Sequence, residues 1–166
     1  VSVAEDAIAL VFRVLDPPTE ADESALCEFG RQHGVRIYLQ PGGPDSVRLL
    51  YPDSAADSLY YSLPEFDVRI AFEPIDFVQI NSDNNRRMVQ FAIEQLTPGP
   101  DDRVLDLYCG VGNFSLPVAR TAGAVLGVEG DAGLVERAAD NANRNALDNV
   151  EFRVADLSKI DGTEGW

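Results

Sequence analysis

The chain has 166 residues and a formal net charge of −15, because 28 acidic residues outnumber 13 basic ones. No apolar run reaches the roughly 18 residues that a membrane span requires. Two cysteines are too few for a disulfide framework or a metal cluster. The composition favours a cytoplasmic globular protein that does not bind membranes, and the acidic charge by itself disfavours direct contact with nucleic acid.

Residues 1–75 are predicted to form a small α+β domain. Thr19 is a suitable N-cap for a helix from Glu20 to about His33, and Gly34 is a suitable stop signal. The short apolar runs between turn signals predict a sheet that is mostly antiparallel. The predicted strands are Ala7–Leu15, Val35–Leu39, Val47–Tyr51, Leu59–Leu63 and Val68–Phe72. No motif with catalytic or metal-binding spacing occurs in this region.

Residues 76–166 show a different pattern, in which predicted strands and helices alternate. A helix capped by Asn81, Ser82 or Asp83 is expected to run to about Leu96, with an apolar face formed by Met88, Phe91, Ala92 and Leu96. Alternating strands and helices predict a parallel sheet with right-handed crossovers. The predicted elements are a buried strand at Val104–Leu107, a helix at Asn113–Thr121, a strand at Ala124–Val128, a helix at Leu134–Asn145 and a strand at Val150–Val154.

A glycine turn, Cys109-Gly110-Val111-Gly112, follows the first of these strands. Glycines allow the backbone to turn sharply and a ligand to approach closely, and a helix N-terminus offers unpaired N–H groups. A strand that passes through such a turn into a helix is typical of cofactor binding. At this point both NAD and S-adenosylmethionine fit.

Acidic residues at the strand ends favour S-adenosylmethionine. Glu129 ends the second strand, where it would accept hydrogen bonds from ribose, and Asp156 follows the third strand, where it would meet an adenine amino group. Asp106 precedes the glycines and would repel a pyrophosphate, whereas it suits a cationic sulfonium ligand. The third glycine of the dinucleotide pattern is replaced by Ser115. A nicotinamide-dependent oxidoreductase is therefore the weaker alternative.

Four segments of the chain resemble the RNA uracil-C5 methyltransferases, especially their 23S rRNA branch. They are FVQIN (Phe77–Asn81), DLYCGVGNFSLPVA (Asp106–Ala119), GVEG (Gly127–Gly130) and NANRNALDNVEF (Asn141–Phe152). The resemblance implies a class I, Rossmann-like methyltransferase domain, truncated at residue 166 and preceded by a central α+β domain. Two alternatives remain: a tRNA enzyme of the same family, and a noncatalytic interaction module with a nucleotide-binding fold.

The resemblance also implies a set of cofactor-binding residues. Gln79 and Tyr108 are expected to contact the cofactor, and Asn113 to contact it, to cap the following helix, or to do both. Asp106 is expected either to contact the cofactor or to brace the loop through its backbone. The full set of expected cofactor-binding residues is Gln79, Asp106, Tyr108, Gly110, Gly112, Asn113, Glu129 and Asp156.

No catalytic residue is assigned to the chain. In the family a cysteine thiolate adds to C6 of uracil, the methyl group is transferred to C5, and a base removes the C5 proton; these groups would lie beyond Trp166. Cys109 is expected to be a buried structural residue. The parent enzyme is expected to bind 23S rRNA through other parts and would carry any iron–sulfur cluster there, since this chain offers no ligands for one. This piece alone is expected to be inactive and to self-associate through exposed sheet edges.

Overall fold

The computed structural model describes residues 1–54 and 58–158, which form two compact units. The first unit contains Val1–Tyr60 and Phe72–Ile80, and the second contains Tyr61–Ala71 and the chain from Asn81 onward. Because the two units interleave along the sequence, a single division between residues 75 and 76 stays a prediction. The end of the predicted second domain, 159–166, lies outside the described residues.

The first unit is built on a four-stranded sheet with the order β1-β2-β3-β4. One helix, α1 (Glu20–His33), accompanies this sheet. The buried core of the unit includes Ala9, Ile37 and Leu39, which lie on neighbouring strands. The strands are β1 (Ser2–Val3), β2 (Ile8–Arg13), β3 (Arg36–Gln40) and β4 (Arg48–Tyr51).

The prediction of a mostly antiparallel sheet is confirmed for two of the three strand pairings, and the central pair is the exception. β2 and β3 are parallel, with Ala9 opposite Arg36, whereas β1–β2 and β3–β4 are antiparallel. The reason is that α1 connects β2 to β3 and returns the chain to the end of the sheet at which β2 began. Such a crossover makes the two strands parallel. The sheet of the first unit is therefore mixed.

The predicted ends of α1 are confirmed. Thr19 accepts a hydrogen bond from the backbone N–H of Asp22, and the Asp22 carboxylate accepts in return from Thr19, which forms a capping box. At the other end Gly34 has a left-handed backbone with φ of 64°. This conformation costs glycine little, so the helix ends where the sequence predicted.

The second unit contains a three-stranded parallel sheet with the order β7-β8-β9. The predicted parallel pairing is confirmed, with Asp106 opposite Gly127 and Gly127 opposite Phe152. A two-stranded sheet formed by β5 and β6 precedes it, and Tyr61–Ala71 of that hairpin belongs to this unit. The two strands of the hairpin are β5 (Leu59–Leu63) and β6 (Val68–Phe72), of which Leu59, Tyr60 and Phe72 belong to the first unit. The other elements of the second unit are α2 (Ser82–Leu96), β7 (Arg103–Leu107), α3 (Ser115–Ala119), β8 (Ala124–Glu129), α4 (Ala132–Arg144) and β9 (Val150–Val154).

Two predicted apolar surfaces are more exposed than expected. β7 was predicted to be buried, yet Leu105 and Leu107 are 42% and 46% exposed. Both residues lie on the same face of the strand because side chains alternate, and among the described residues β7 pairs only with β8. On α2 the predicted apolar face is also open, with Phe91 63% exposed, while Asn85 and Val89 are buried instead.

Two asparagines, Asn141 of α4 and Asn145 at its C-cap, hold the edge of β6. The side-chain amide of Asn141 accepts from the N–H of Ala71 and donates to its carbonyl oxygen, both at 2.9 Å. Asn145, one helical turn later, makes the same pair of hydrogen bonds with Arg69 at 2.9 and 2.7 Å. Each carboxamide supplies one donor and one acceptor, as a peptide group does. The two side chains therefore make the hydrogen bonds to β6 that the backbone of a neighbouring strand would otherwise make.

Within residues 1–54 and 58–158, every helix is either too short or too polar to cross a lipid bilayer.

The packing of β8 against its neighbours can be tested at Gly127. A Cβ atom at this position would lie 2.5 Å from Cδ1 of Phe152 and 3.0 Å from Sγ of Cys109. We therefore expect Gly127→Ala to lower the free energy of unfolding by about 1–3 kcal/mol, as overpacking of a core does. Urea unfolding followed by circular dichroism measures this change.

Gly43→Ala is the matched control, because a Cβ atom at Gly43 would meet no atom within 4 Å and its φ is −69°. This variant should unfold at the same urea concentration as the unaltered chain or slightly higher. Equal stability of the Gly127→Ala variant would contradict the close packing described for β8.

Candidate cofactor site

The turn between β7 and α3 has a left-handed backbone at three positions. The φ angles are 61° at Tyr108, 55° at Gly110 and 96° at Gly112. The two glycines adopt this conformation freely, whereas it costs a tyrosine roughly 1–2 kcal/mol. Gly112 is also close to α3, since a Cβ atom there would lie 3.0 Å from Leu116. The backbone therefore favours glycine at both predicted positions, most strongly at Gly112, and it carries a local strain at Tyr108.

Asp106 braces the first turn of α3. The Ser115 hydroxyl donates a hydrogen bond of 2.6 Å to the Asp106 carboxylate, and Ser115 is fully buried. Burial raises the pKa of Asp106, and the hydrogen bonds from Ser115 oppose that rise. Bracing was predicted through the loop backbone, whereas the hydroxyl donor is the side chain of Ser115, the first residue of α3, and the predicted contact of Asp106 with the cofactor stays a prediction. Ser115, noted in the sequence only as a missing glycine, is one residue that sequence reasoning overlooked.

Asn113 is held by two other side chains. Its carboxamide exchanges two hydrogen bonds of 2.9 Å with Asn85 of α2, and its oxygen also accepts a hydrogen bond of 2.9 Å from the Tyr61 hydroxyl. Burial raises the pKa of Tyr61, so this hydroxyl stays a neutral donor. The interpretation of Asn113 as a helix cap was wrong, because Phe114 occupies the cap position of α3. Helix α3 begins two residues later than predicted and is only five residues long.

A third contact to the turn comes from α4. The side-chain nitrogen of Asn141 donates to the carbonyl oxygen of Val111 at 3.2 Å, in addition to its bonds with Ala71. Asn141 is 1% exposed, and Val111 lies between the two glycines of the turn.

Sequence reasoning missed both Asn85 and Asn141. The available signal was the repeated spacing of four residues, from Asn81 to Asn85 and from Asn141 to Asn145, which places each pair on one helix face or at its cap.

Glu129 joins the ends of β7 and β8. One carboxylate oxygen accepts from the N–H of Gly110 at 3.2 Å, and the other accepts from the N–H of Gly130 at 2.6 Å. An ionised carboxylate has about four acceptor positions, so these contacts leave capacity for a ligand. The glycine turn and the predicted ribose-binding acid are therefore in direct contact.

An open cleft of about 670 Å³ lies at the carboxyl ends of the strands. Tyr108, Glu129 and Asp156 line it, so three of the predicted residues from three strand ends come together. The Tyr108 side chain is 72% exposed, and the Asp156 carboxylate accepts hydrogen bonds from the N–H and the hydroxyl of Ser158. The remaining lining residues are Gly130, Val154, Leu157 and Ser158.

The chemistry of this cleft suits a cationic ligand without phosphate groups that carries hydroxyl or amino donors and a flat ring. Two carboxylates give it a negative potential, which attracts a cation and repels phosphate groups. Carboxylate oxygens also accept hydrogen bonds from hydroxyl and amino groups, and an exposed aromatic ring offers a flat apolar surface. The cleft volume falls in the range of small-molecule sites.

Gln79 is not among the residues that line this cleft. It belongs to the first unit, in the irregular segment after β6, and its role in cofactor binding stays a prediction. Among the described residues, no group of three or more His, Cys, Asp or Glu side chains is arranged to hold a metal ion.

Cys109 is buried inside the turn, as predicted, with 5% exposure. Burial raises the pKa of its thiol to about 12, and the negative charges of Asp106 and Glu129 add to the rise. The thiolate is the nucleophilic form of cysteine, so this environment suppresses its reactivity. Cys109 is therefore a packing residue.

Comparison with known proteins identifies the family. The family model of the tRNA (uracil-5-)-methyltransferases matches residues 57–161, which is more than half of the chain. The chain belongs to this family. The matched range includes the glycine turn, Glu129 and Asp156, so the family assignment and the cleft concern the same part of the molecule.

Two relatives within the methyltransferase family carry the name 23S rRNA (uracil(1939)-C(5))-methyltransferase RlmD. The protein from Xanthomonas campestris pv. campestris is 51% identical over 162 residues, which cover 98% of this chain and 36% of the relative. The protein from Xylella fastidiosa is 53% identical over 165 residues, which cover 99% and 37%. The chain thus spans little more than a third of the length of the curated relatives that it matches.

Two solved structures show the same fold. The tRNA (uracil-54, C5)-methyltransferase of Pyrococcus abyssi, in complex with S-adenosyl-L-homocysteine, superimposes with a TM-score of 0.66 and 23% identity, covering 92% of this chain and 36% of that one. Trm5b of Pyrococcus abyssi gives a TM-score of 0.60 with 15% identity, covering 93% and 47%. The predicted class, an α/β Rossmann-like methyltransferase fold with a parallel sheet, is confirmed.

The protected state of Cys109 can be tested by thiol labelling. With a pKa of about 12, only roughly one part in ten thousand of the thiol is ionised at pH 8. In a Cys27→Ser background we expect Ellman's reagent to label the folded protein at least 100-fold more slowly than a free cysteine peptide. Addition of urea should restore rapid labelling. Rapid labelling of the folded protein would contradict the assignment of Cys109 as a packing residue.

Proposed function

We propose that the protein containing this chain methylates C5 of a uridine in 23S rRNA and uses S-adenosylmethionine as the methyl donor. The observation that carries the proposal is the cleft at the strand ends, where Tyr108, Glu129 and Asp156 meet beside the glycine turn. Membership of the family supports the type of reaction. The relatives that are 51% and 53% identical support 23S rRNA as the substrate.

The residues of the cleft fit S-adenosylmethionine. Glu129 would accept hydrogen bonds from the ribose hydroxyls, Asp156 would accept from the adenine amino group, and the exposed Tyr108 ring would pack against the ligand. The carboxylates also suit the positive charge of the sulfonium group. When bound, this cofactor supplies an electrophilic methyl group. The chain's own contribution is to bind and orient that cofactor.

The other proposed site residues have less direct roles. Gly110 and Gly112 allow the backbone to take the shape that brings the Gly110 N–H to Glu129. Asp106 and Asn113 are proposed to act through the turn, because their side chains already bind Ser115, Asn85 and Tyr61. Gln79 is proposed as a cofactor contact on the resemblance alone.

The site is poorly suited to the nicotinamide cofactor of an oxidoreductase. The position of the third dinucleotide glycine holds Ser115, which is buried and donates a hydrogen bond to Asp106. The acids in the cleft would repel a pyrophosphate. Both features favour a cofactor without phosphate groups.

Neither cysteine of the chain is proposed as the catalytic nucleophile. Cys109 is buried with a raised pKa, and Cys27 lies half-buried on α1 in the first unit.

We also propose that most of the RNA affinity resides outside this sequence, because acidic residues outnumber basic ones 28 to 13. The exposed leucines of β7 support the further proposal that the isolated 166-residue piece self-associates.

The cofactor proposal predicts a measurable effect of Glu129. In isothermal titration of the full-length protein, S-adenosylhomocysteine should bind, and Glu129→Ala should weaken binding by about 10- to 100-fold, because charge-assisted hydrogen bonds contribute roughly 1.5–3 kcal/mol. Glu151→Ala, at an exposed position of β9, is the matched control and should bind normally. Binding of NADH in place of S-adenosylhomocysteine would refute the proposal.

The substrate proposal predicts selective methyl transfer. The full-length protein should transfer tritiated methyl groups to an unmodified 23S rRNA transcript, at a rate at least tenfold above that for tRNA. The 166-residue piece should transfer none and should sediment as a species larger than a monomer. A preference for tRNA would support the alternative branch of the family. Methyl transfer by a monomeric 166-residue piece would show that the catalytic groups lie within this chain.

A further inference from the structure

We propose that Asn85 and Asn141 are positioning residues that hold the glycine turn in the shape required for cofactor binding. They come from different helices, α2 and α4, and are 3% and 1% exposed. The identity of the ligand rests on the function proposed above. The role of the two asparagines follows from their contacts with the turn.

Asn85 acts on the C-terminal side of the turn. It exchanges two hydrogen bonds of 2.9 Å with Asn113, the residue directly after Gly112. The Tyr61 hydroxyl donates a further hydrogen bond to the same oxygen of Asn113. The orientation of the Asn113 carboxamide is thereby fixed by α2 and by β5 together. Because Gly112 has a φ of 96° and no side chain of its own, its neighbour provides the anchor.

Asn141 acts on the residue before Gly112. Its side-chain nitrogen has two hydrogens, of which one bonds the carbonyl oxygen of Ala71 and the other that of Val111. Its oxygen accepts from the N–H of Ala71. Val111 is itself buried, so its carbonyl would lose its partner if the amide were removed. The two asparagines thus hold the residues on both sides of Gly112.

The shape of the turn matters because it reaches the cleft. The Gly110 N–H donates to the Glu129 carboxylate, and Tyr108 at the start of the turn lines the cleft. A segment with two glycines has many accessible conformations unless other groups restrict it. If the turn is already held in one conformation, less conformational entropy is lost when the ligand binds. Loss of either asparagine should therefore weaken the ligand's affinity.

Asn145 provides a matched control. It is the C-cap residue of the helix that carries Asn141, and it makes the same pair of hydrogen bonds to β6 with Arg69 as the partner. Its side-chain nitrogen also donates to the backbone carbonyl oxygen of Asn141. Removing its carboxamide should therefore reduce stability without altering the turn. Leucine has the same branched arrangement of four side-chain heavy atoms as asparagine and cannot form hydrogen bonds. Asn→Leu variants at 85, 141 and 145 therefore each remove one set of carboxamide hydrogen bonds, although Asn145 is less buried than the other two.

The experiment measures affinity, kinetics and local exchange in the full-length protein. Asn85→Leu and Asn141→Leu should each weaken S-adenosylhomocysteine binding at least tenfold and raise the KM for S-adenosylmethionine, with kcat at saturating cofactor reduced less than threefold. Asn145→Leu should leave affinity within twofold, at a temperature where all variants are folded. Tyr61→Phe, which removes one of two donors to Asn113, should have a smaller effect than Asn85→Leu.

Hydrogen exchange separates this inference from the proposed function. In peptides covering 109–114, exchange should quicken at least tenfold in Asn85→Leu and Asn141→Leu and stay unchanged in Asn145→Leu. If the unaltered protein fails to bind S-adenosylhomocysteine, the proposed function fails, and exchange alone then decides whether the asparagines hold the turn. Unchanged exchange in both variants, or equal loss of affinity in Asn145→Leu, would overturn the inference.

Discussion

The left-handed turn after β7 is the constraint on which the rest of the second unit depends. Tyr108, Gly110 and Gly112 have positive φ angles within five residues, and such a backbone is unstable unless its polar groups are bound. The structure supplies these partners from three directions: Glu129 binds the Gly110 N–H, Asn141 binds the Val111 carbonyl, and Asn113 is held by Asn85. Strand ends and helices are arranged so that each side chain reaches this segment. The cleft beside it is a consequence of that arrangement.

Much of the second unit follows directly from the sequence. Three apolar runs separated by helix signals predict a parallel sheet, and parallel strands bring their carboxyl ends to one edge. For that reason Glu129 and Asp156, each at or just after a strand end, could be predicted to share a cleft with Tyr108. The capping box of α1 was equally predictable, because Thr19 and Asp22 are neighbours in the chain. At α1 both groups of the cap are close in the chain, whereas at Asn113 the distant partner Asn85 binds the side chain that was expected to cap α3.

The features that could not be predicted all depend on distant parts of the chain. Asn85 and Asn113 are 28 residues apart, and Asn141 and Ala71 are 70 apart, so no local pattern identifies them as partners. The exposure of Leu105 and the parallel pairing of β2 with β3 are similar cases, since burial and strand order are set by the surrounding elements. Asparagine has a low helix propensity, so its presence in a helix lowers the stability of that helix. This loss points to a specific hydrogen bond only when the partner residue is known.

The choice of asparagine for these contacts has a physical reason. The turn lies beside Asp106 and Glu129, and the sequence as a whole carries a net charge of −15. A lysine or arginine at position 85 or 141 would neutralise the negative potential of the cleft, and another carboxylate would increase repulsion and could not donate to the Val111 carbonyl. A carboxamide supplies a donor and an acceptor without charge. It therefore fixes the turn and leaves the acids of the cleft to determine which ligand binds.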